Sequence, residues 1–181
     1  QTAGRLMWVE AQRQPHFVVG SSGVEYALAA HWRACGNIPR HATAFTRPKP
    51  VSQILVMSGS ASPMTAQQIA WARDNGFDTL RAPAEDFVDP ARANAAIEGL
   101  LAFAGKSLAS GRSLVVYSAS GPDDPSIRVT RARLPAGQST ARSLGAAMGR
   151  MTRTLLEQHA LRRVVIAGGD TSSYAAQEIG L

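Results

Sequence analysis

Four short stretches of glycine and hydroxyl residues each follow an apolar run. They are Gly20-Ser21-Ser22-Gly23 after residues 17–19, Ser58-Gly59-Ser60-Ala61-Ser62 after 54–57, Ser118-Ala119-Ser120-Gly121 after 114–117, and Gly168-Gly169-Asp170-Thr171-Ser172-Ser173 after 164–167. Residues of this kind suit one chemistry. Glycine lets a backbone approach a ligand closely, hydroxyls donate hydrogen bonds, and a helix starting there aims unpaired N–H groups and its positive dipole end at an anion. The guest they suit is a phosphate. Ser, Thr, Asp and Gly are also ordinary turn and N-cap residues, so a single such turn says little. Four of them at the ends of four apolar runs say more. Ser62-Pro63 ahead of Thr65 has the form of an N-cap followed by proline at N1, and Asp170 or Thr171 is expected to cap the last helix. The Asp170 carboxylate, in the tightest glycine turn, can either cap that helix or hold the magnesium of a nucleotide.

Other chemistries are excluded by what is missing. No GxxxxGK[ST] occurs, and the only two lysines, Lys49 and Lys106, lie outside the glycine turns, so the chain is not a P-loop NTPase. Neither GxGxxG nor GxSxG is present. His16, His31, His41 and His159 are scattered without metal-ligand spacing, and Asp123-Asp124 between prolines reads as a solvated turn. A single cysteine, Cys35, rules out an internal disulfide and points to a reducing cytoplasm. The net charge of +6 comes mostly from arginine. Arg128, Arg131 and Arg133 cluster while Arg142, Arg150, Arg153, Arg162 and Arg163 are spread out, with no aromatic interleaving to stack bases, so no nucleic-acid partner is expected. No apolar run reaches the roughly 18–20 residues of a membrane span, so no membrane partner is expected either.

The elements that must position these turns follow from periodicity. The four apolar runs, short and mostly aliphatic, read as buried strands. Helical spacing covers residues 24–34, 65–75, 91–110, 139–159 and 171–179. Strands apolar on both faces, alternating with helices, predict an α/β fold: a single domain with a mostly parallel sheet covered by helices on both faces. In such a sheet the strand ends share one edge, where open α/β folds bind ligands. The proline-rich stretches 37–50 and 121–137 read as loops or lids. Residues 1–14 are expected to be a linker or the end of a preceding domain. With neither a signal-peptide pattern nor an initiator methionine in them, the chain is expected to be a fragment or a processed product.

Three of these stretches carry a resemblance. Val18 to Leu28 with its GSSG turn, the run Met57-Ser58-Gly59-Ser60-Ala61-Ser62-Pro63-Met64-Thr65-Ala66-Gln67-Gln68-Ile69, and Ala167-Gly168-Gly169-Asp170-Thr171-Ser172 resemble the C-terminal nucleotide-binding domain of the four-carbon acid sugar kinase family, in the same order over residues 15–181. The resemblance implies an ATP-dependent kinase acting on the terminal hydroxyl of threonate, erythronate or an oxo-tetronate. It implies ATP and Mg²⁺ as cofactors and an ATP site lined by Ser58 or Ser60 and by Gly168, Gly169, Asp170 and Thr171, with Gly59 between the serines and Asp170 as the metal ligand. It also implies that the sugar acid is bound by an N-terminal domain preceding this chain and that a nucleotide-contacting segment follows Leu181. The nucleotide-binding domain would then be incomplete at its C-terminus and inactive alone. The competing readings are a non-catalytic phosphate- or sugar-binding module and a nucleic-acid-binding domain.

Overall fold

The computed structural model describes residues 2–39 and 48–181, and the chain divides into two compact units, residues 1–49 and 50–181. His41 and most of the expected 37–50 loop lie outside the described residues.

In the first unit, residues expected to be a linker form a helix, α1 (Thr2–Arg13), which packs on α2 (Ser22–Ala34). Gly4 permits the contact, because a Cβ there would collide with the Ala27 carbonyl. Trp8 and Trp32 meet edge to face with ring centroids 5.2 Å apart. Residues 17–19 are not the strand their apolarity predicts. They pair with no ladder, and Phe17 and Val19 are 97% and 99% exposed. Three apolar residues alone do not define a strand where no neighbour offers hydrogen bonds. The turn that follows is therefore at no sheet edge, and Ser21 instead caps α2 by accepting from the Gly23 N–H.

The second unit is α/β. Its strands are β1 (Leu55–Ser58), β2 (Asp78–Arg81), β3 (Leu114–Tyr117) and β4 (Val164–Ala167), all parallel in the order β2-β3-β1-β4. Around them lie α3 (Pro63–Asp74), α4 (Ala84–Phe87), α5 (Ala93–Ala109), α6 (Pro125–Arg133), α7 (Thr140–Gln158) and α8 (Asp170–Ile179). Alternation along the strands builds a core on each face. Leu55, Met57, Leu114 and Val116 pack with the apolar stripes of α5 and α7, while Val115 packs with Ile69 and Ala72 of α3, joined by Val56 and Tyr117. The expected sheet covered on both faces is what forms.

Two elements depart from expectation. β2 was not visible as a strand because its sequence, Asp-Thr-Leu-Arg, is polar; it is an edge strand, buried on neither side completely. Its start is pinned by Asp78, which accepts from Ser107 Oγ at 2.6 Å and from Arg112 Nε at 2.7 Å. Those two partners, the serine foremost, hold the Asp78 carboxyl below its ordinary range against the opposing pull of burial. The second departure is α6, which occupies the stretch expected to be a loop. Asp124 caps it and Pro125 stands at its first position, so the prolines and acids that suggest a loop are the residues that start a helix.

Candidate functional site

The sheet brings three of the four small-residue turns to one edge. Hydrogen bonding continues one residue past the strands: Gly59 N donates to Ala167 O at 2.9 Å, Ser118 N to Ser58 O at 2.9 Å, and Ala82 N to Tyr117 O at 2.8 Å. The turns after β1, β3 and β4 are thereby held flush. The first and last of them touch. A Cβ on Gly59 would run into the Thr171 side chain, and one on Gly168 would lie 3.7 Å from Gly59 C and Ser60 N. Thr171 is accordingly buried, packed on Gly59.

Gly168 has φ +151°, in the region glycine favours, and Gly169 has φ −80° with nothing near the position of an added Cβ. The turn is tied by Ser172, whose hydroxyl donates to the Gly168 and Gly169 carbonyls at 2.8 and 2.7 Å. α8 therefore starts without the side-chain cap expected from Asp170 or Thr171: Gly169 is its N-cap and makes no side-chain hydrogen bond. The Asp170 side chain is exposed and has no hydrogen bond or ion pair among the described residues. What sets α8 in place is α7. At Gly145 an added Cβ would meet Tyr174 Cβ at 2.5 Å and Thr171 O at 2.7 Å; at Gly149 it would meet Glu178 Cβ at 2.6 Å and Ala175 O at 2.8 Å. This pair of glycines, four residues apart on one helix face, was missed in the sequence, although its spacing was readable there.

The serines of the β1 turn divide between two roles. Ser60 and Ser62 form a closed cap for α3: Thr65 Oγ1 donates to Ser60 Oγ at 2.8 Å, and Thr65 N donates to Ser62 Oγ at 3.1 Å. Ser58 is buried and its hydroxyl has no partner among the described residues. After β3, Asp124 accepts from Ser120 N and Oγ at 2.8 and 2.9 Å and from Ser126 N at 2.9 Å. Burial alone would raise its carboxyl, but these bonds and the nearby Ser126 hydroxyl outweigh it and hold Asp124 far below the ordinary carboxylate range. The expected solvated turn is thus, at Asp124, a structural cap.

A cavity of about 540 Å³ opens at the same edge, bordered by Gly59 and Ser118 on the sheet side and by Thr130, Arg131 and Thr140 from α6 and the start of α7. Residues 168–171 do not line it; they stand behind Gly59. The α6 residues were missed in the sequence because their segment was read as a loop. Arg133 of the basic cluster is paired with Asp86 at 2.8 Å. Among the described residues there is no group of three or more His, Cys, Asp or Glu side chains able to hold a metal on its own, and no helix is long and apolar enough to cross a membrane.

Residues 55–181 match the model of a family described as nucleotide-binding C-terminal domain. The chain is 42% identical over 183 residues to 3-oxo-isoapionate kinase of Paraburkholderia graminis, covering 99% of this chain and 38% of that protein. It is 30% identical over 171 residues to 3-oxo-tetronate kinase of Cupriavidus necator, and 29% identical over 176 residues to that of Pectobacterium atrosepticum. Those alignments cover 36% and 39% of the two kinases, so the chain spans less than two-fifths of the length of the curated relatives it matches.

Proposed function

The chain belongs to the family of nucleotide-binding C-terminal domains, as the resemblance to the four-carbon acid sugar kinases implied, and on that premise we propose that it is the ATP-binding part of a kinase that phosphorylates the terminal hydroxyl of a four-carbon acid sugar such as threonate, erythronate or an oxo-tetronate. The observation that carries this reading is the contact of the β1 turn with the start of α8, where Gly59 meets Gly168 and Thr171 beside an uncapped helix end. The open space at Gly169 leaves room for a phosphate to approach the backbone, and while Ser172 N donates to Gly169 O at 3.1 Å, the N–H groups of Asp170 and Thr171 at the start of α8 have no helical acceptor of their own. Gly59, Gly168, Gly169 and Thr171 form the backbone cradle. Ser58 and Ser60 border it: Ser60 holds the α3 cap, and Ser58 keeps an unspent hydroxyl.

Asp170 fits the role of magnesium ligand, because its carboxylate is exposed at the mouth of the turn and unengaged among the described residues. Magnesium, when bound with ATP, neutralises charge that builds on the transferred phosphoryl group. The chain's own contribution is then positional and electrostatic: fixed N–H dipoles at the phosphate end and a carboxylate held beside them. Binding of the sugar acid is assigned to a part of the protein outside these 181 residues, in keeping with the share of the relatives that the chain spans.

A second reading of the substrate has one observation in its favour. The 42% identity to a protein named 3-oxo-isoapionate kinase exceeds the 29–30% identity to the two 3-oxo-tetronate kinases, which favours 3-oxo-isoapionate as acceptor. The test is ADP release by the complete protein supplied in turn with threonate, erythronate, 3-oxo-tetronate and 3-oxo-isoapionate. Release with none of them, alongside intact ATP binding, refutes the kinase reading and leaves a binding module. The same assay on these 181 residues alone is expected to give no acid-dependent ADP, because aligning donor and acceptor contributes roughly 7–11 kcal/mol to such a reaction.

A further inference from the structure

The cavity between α6, α7 and the sheet edge is lined by two buried hydroxyls of α6. Ser126 and Thr130 are 6% and 3% exposed and both line the cavity; among the described residues Thr130 Oγ1 meets no hydrogen-bond partner, and Ser126 Oγ, beside the Asp124 carboxylate, makes no well-formed hydrogen bond. They stand one turn apart on α6 and so share a face. A buried polar group left without a partner is costly, and proteins keep such groups where a ligand satisfies them.

Ala61, Ala84, Ala119, Pro122, Ile127 and Leu144 make most of the remaining wall apolar, with two further hydroxyls at Ser118 and Thr140 and one charged side chain, Arg131. A polyhydroxy acid would set several of its hydroxyls against that apolar majority, and a triphosphate would meet one cation. A purine matches it: a flat, largely apolar ring whose edge carries a few donors and acceptors, which hydroxyls can complement in either sense. Gly59 links the two places, lining the cavity on one side and packing against Thr171 on the other. We propose that this cavity binds the nucleoside end of the nucleotide, with Thr130 and Ser126 reading the edge of the base. This rests on the reading of the 168–171 turn as the phosphate site.

The test is calorimetric titration of ADP and of inorganic pyrophosphate into the chain, into Thr130→Val, and into Ser126→Ala/Thr130→Val. Thr130→Val removes a hydroxyl that has no partner among the described residues, so its melting is expected to be unchanged or slightly higher, whereas the double variant also loses the Ser126 hydroxyl beside the Asp124 carboxylate and is expected to melt slightly lower. The expected result is an ADP Kd raised roughly 5- to 100-fold in the double variant, with pyrophosphate binding unaltered. Ala61→Leu, at a half-buried position of the rim, gives the same split by narrowing the cavity and serves should the double variant not fold. An unchanged ADP Kd, or equal weakening of ADP and pyrophosphate, overturns the proposal while leaving the nucleotide reading in place. No ADP binding by the unaltered chain overturns both.

Discussion

Gly149→Ala tests how the 168–171 turn, the proposed phosphate site, is held. α8 lies on α7 so closely that a methyl at position 149 would sit 2.6 Å from Glu178 Cβ, 2.8 Å from Ala175 O and 3.0 Å from Ala175 Cα. Carbon atoms rest at about 3.5–4.0 Å, so α8 has to retreat by about an ångström, and because two of the three neighbours are backbone atoms no rotamer change relieves it. Overpacking of this kind costs about 1–3 kcal/mol. Against that stands the gain of about 1 kcal/mol from replacing glycine by alanine inside a helix. The net expectation lies between no change and a loss of about 2 kcal/mol, a fall in Tm of up to roughly 8 °C for a unit of this size. Gly99→Ala isolates the second effect, since Gly99 is exposed in the middle of α5 with nothing near an added methyl. It should raise Tm by a few degrees. Thermal melts followed by circular dichroism compare the two. If Gly149→Ala stabilises as Gly99→Ala does, the helices are not in the contact that positions α8, and packing on α7 is not what holds the 168–171 turn.

The other expectations concern the turn and its neighbours. Gly169→Ala, at φ −80° in open space, should melt like the parent and weaken ADP binding through the methyl alone, whereas Gly168→Ala, at φ +151°, should lower Tm as well; equal ADP affinity in Gly169→Ala would place the phosphate elsewhere. Asp170→Asn in the complete protein should leave melting unchanged and cut turnover by orders of magnitude, while unchanged turnover would remove Asp170 from the metal site. Asp124 has a depressed carboxyl in the folded state, so its contribution to stability is complete above its ordinary value of 3.8 and is lost as pH falls below it. Tm measured from pH 7 to pH 2 should therefore fall less steeply below pH 4 in Asp124→Asn than in the parent, and parallel curves would show that the cap does not depend on charge.

Most of the second unit was legible because its strands are buried on both faces. The runs 54–57, 114–117 and 164–167 are apolar throughout and became β1, β3 and β4. The same criterion failed in both directions elsewhere. It accepted residues 17–19, where apolar side chains stand in solvent, and it passed over β2, whose polar residues suit an edge and whose place depends on Asp78 bonding Ser107 and Arg112 far along the chain. Pairing of that kind is not written in a local pattern. α6 was hidden for a different reason: aspartate, proline and serine serve loops and helix starts alike, and only the three bonds to the Asp124 carboxylate decide between them.

The candidate site was legible as a place and not as a division of labour. Hydroxyl-rich turns after parallel strands had to meet at one edge, and three of them do. Which hydroxyls stay available for a ligand depends on who caps whom. Ser60 and Ser62 look the more suitable in sequence, being in the turn itself, yet Thr65 engages both. Among the described residues Ser58, inside the strand, is left unpartnered, as is Thr130 on a helix that was read as a loop. A folded protein keeps few such orphans, because each costs about 1–3 kcal/mol unless something outside the chain satisfies it. Both lie at or next to the carboxyl edge of the sheet, one lining the cavity beside Gly59 and one in the residue before it. Their unspent bonding capacity, more than the count of serines along the sequence, is what supports the proposal that a ligand binds at that edge.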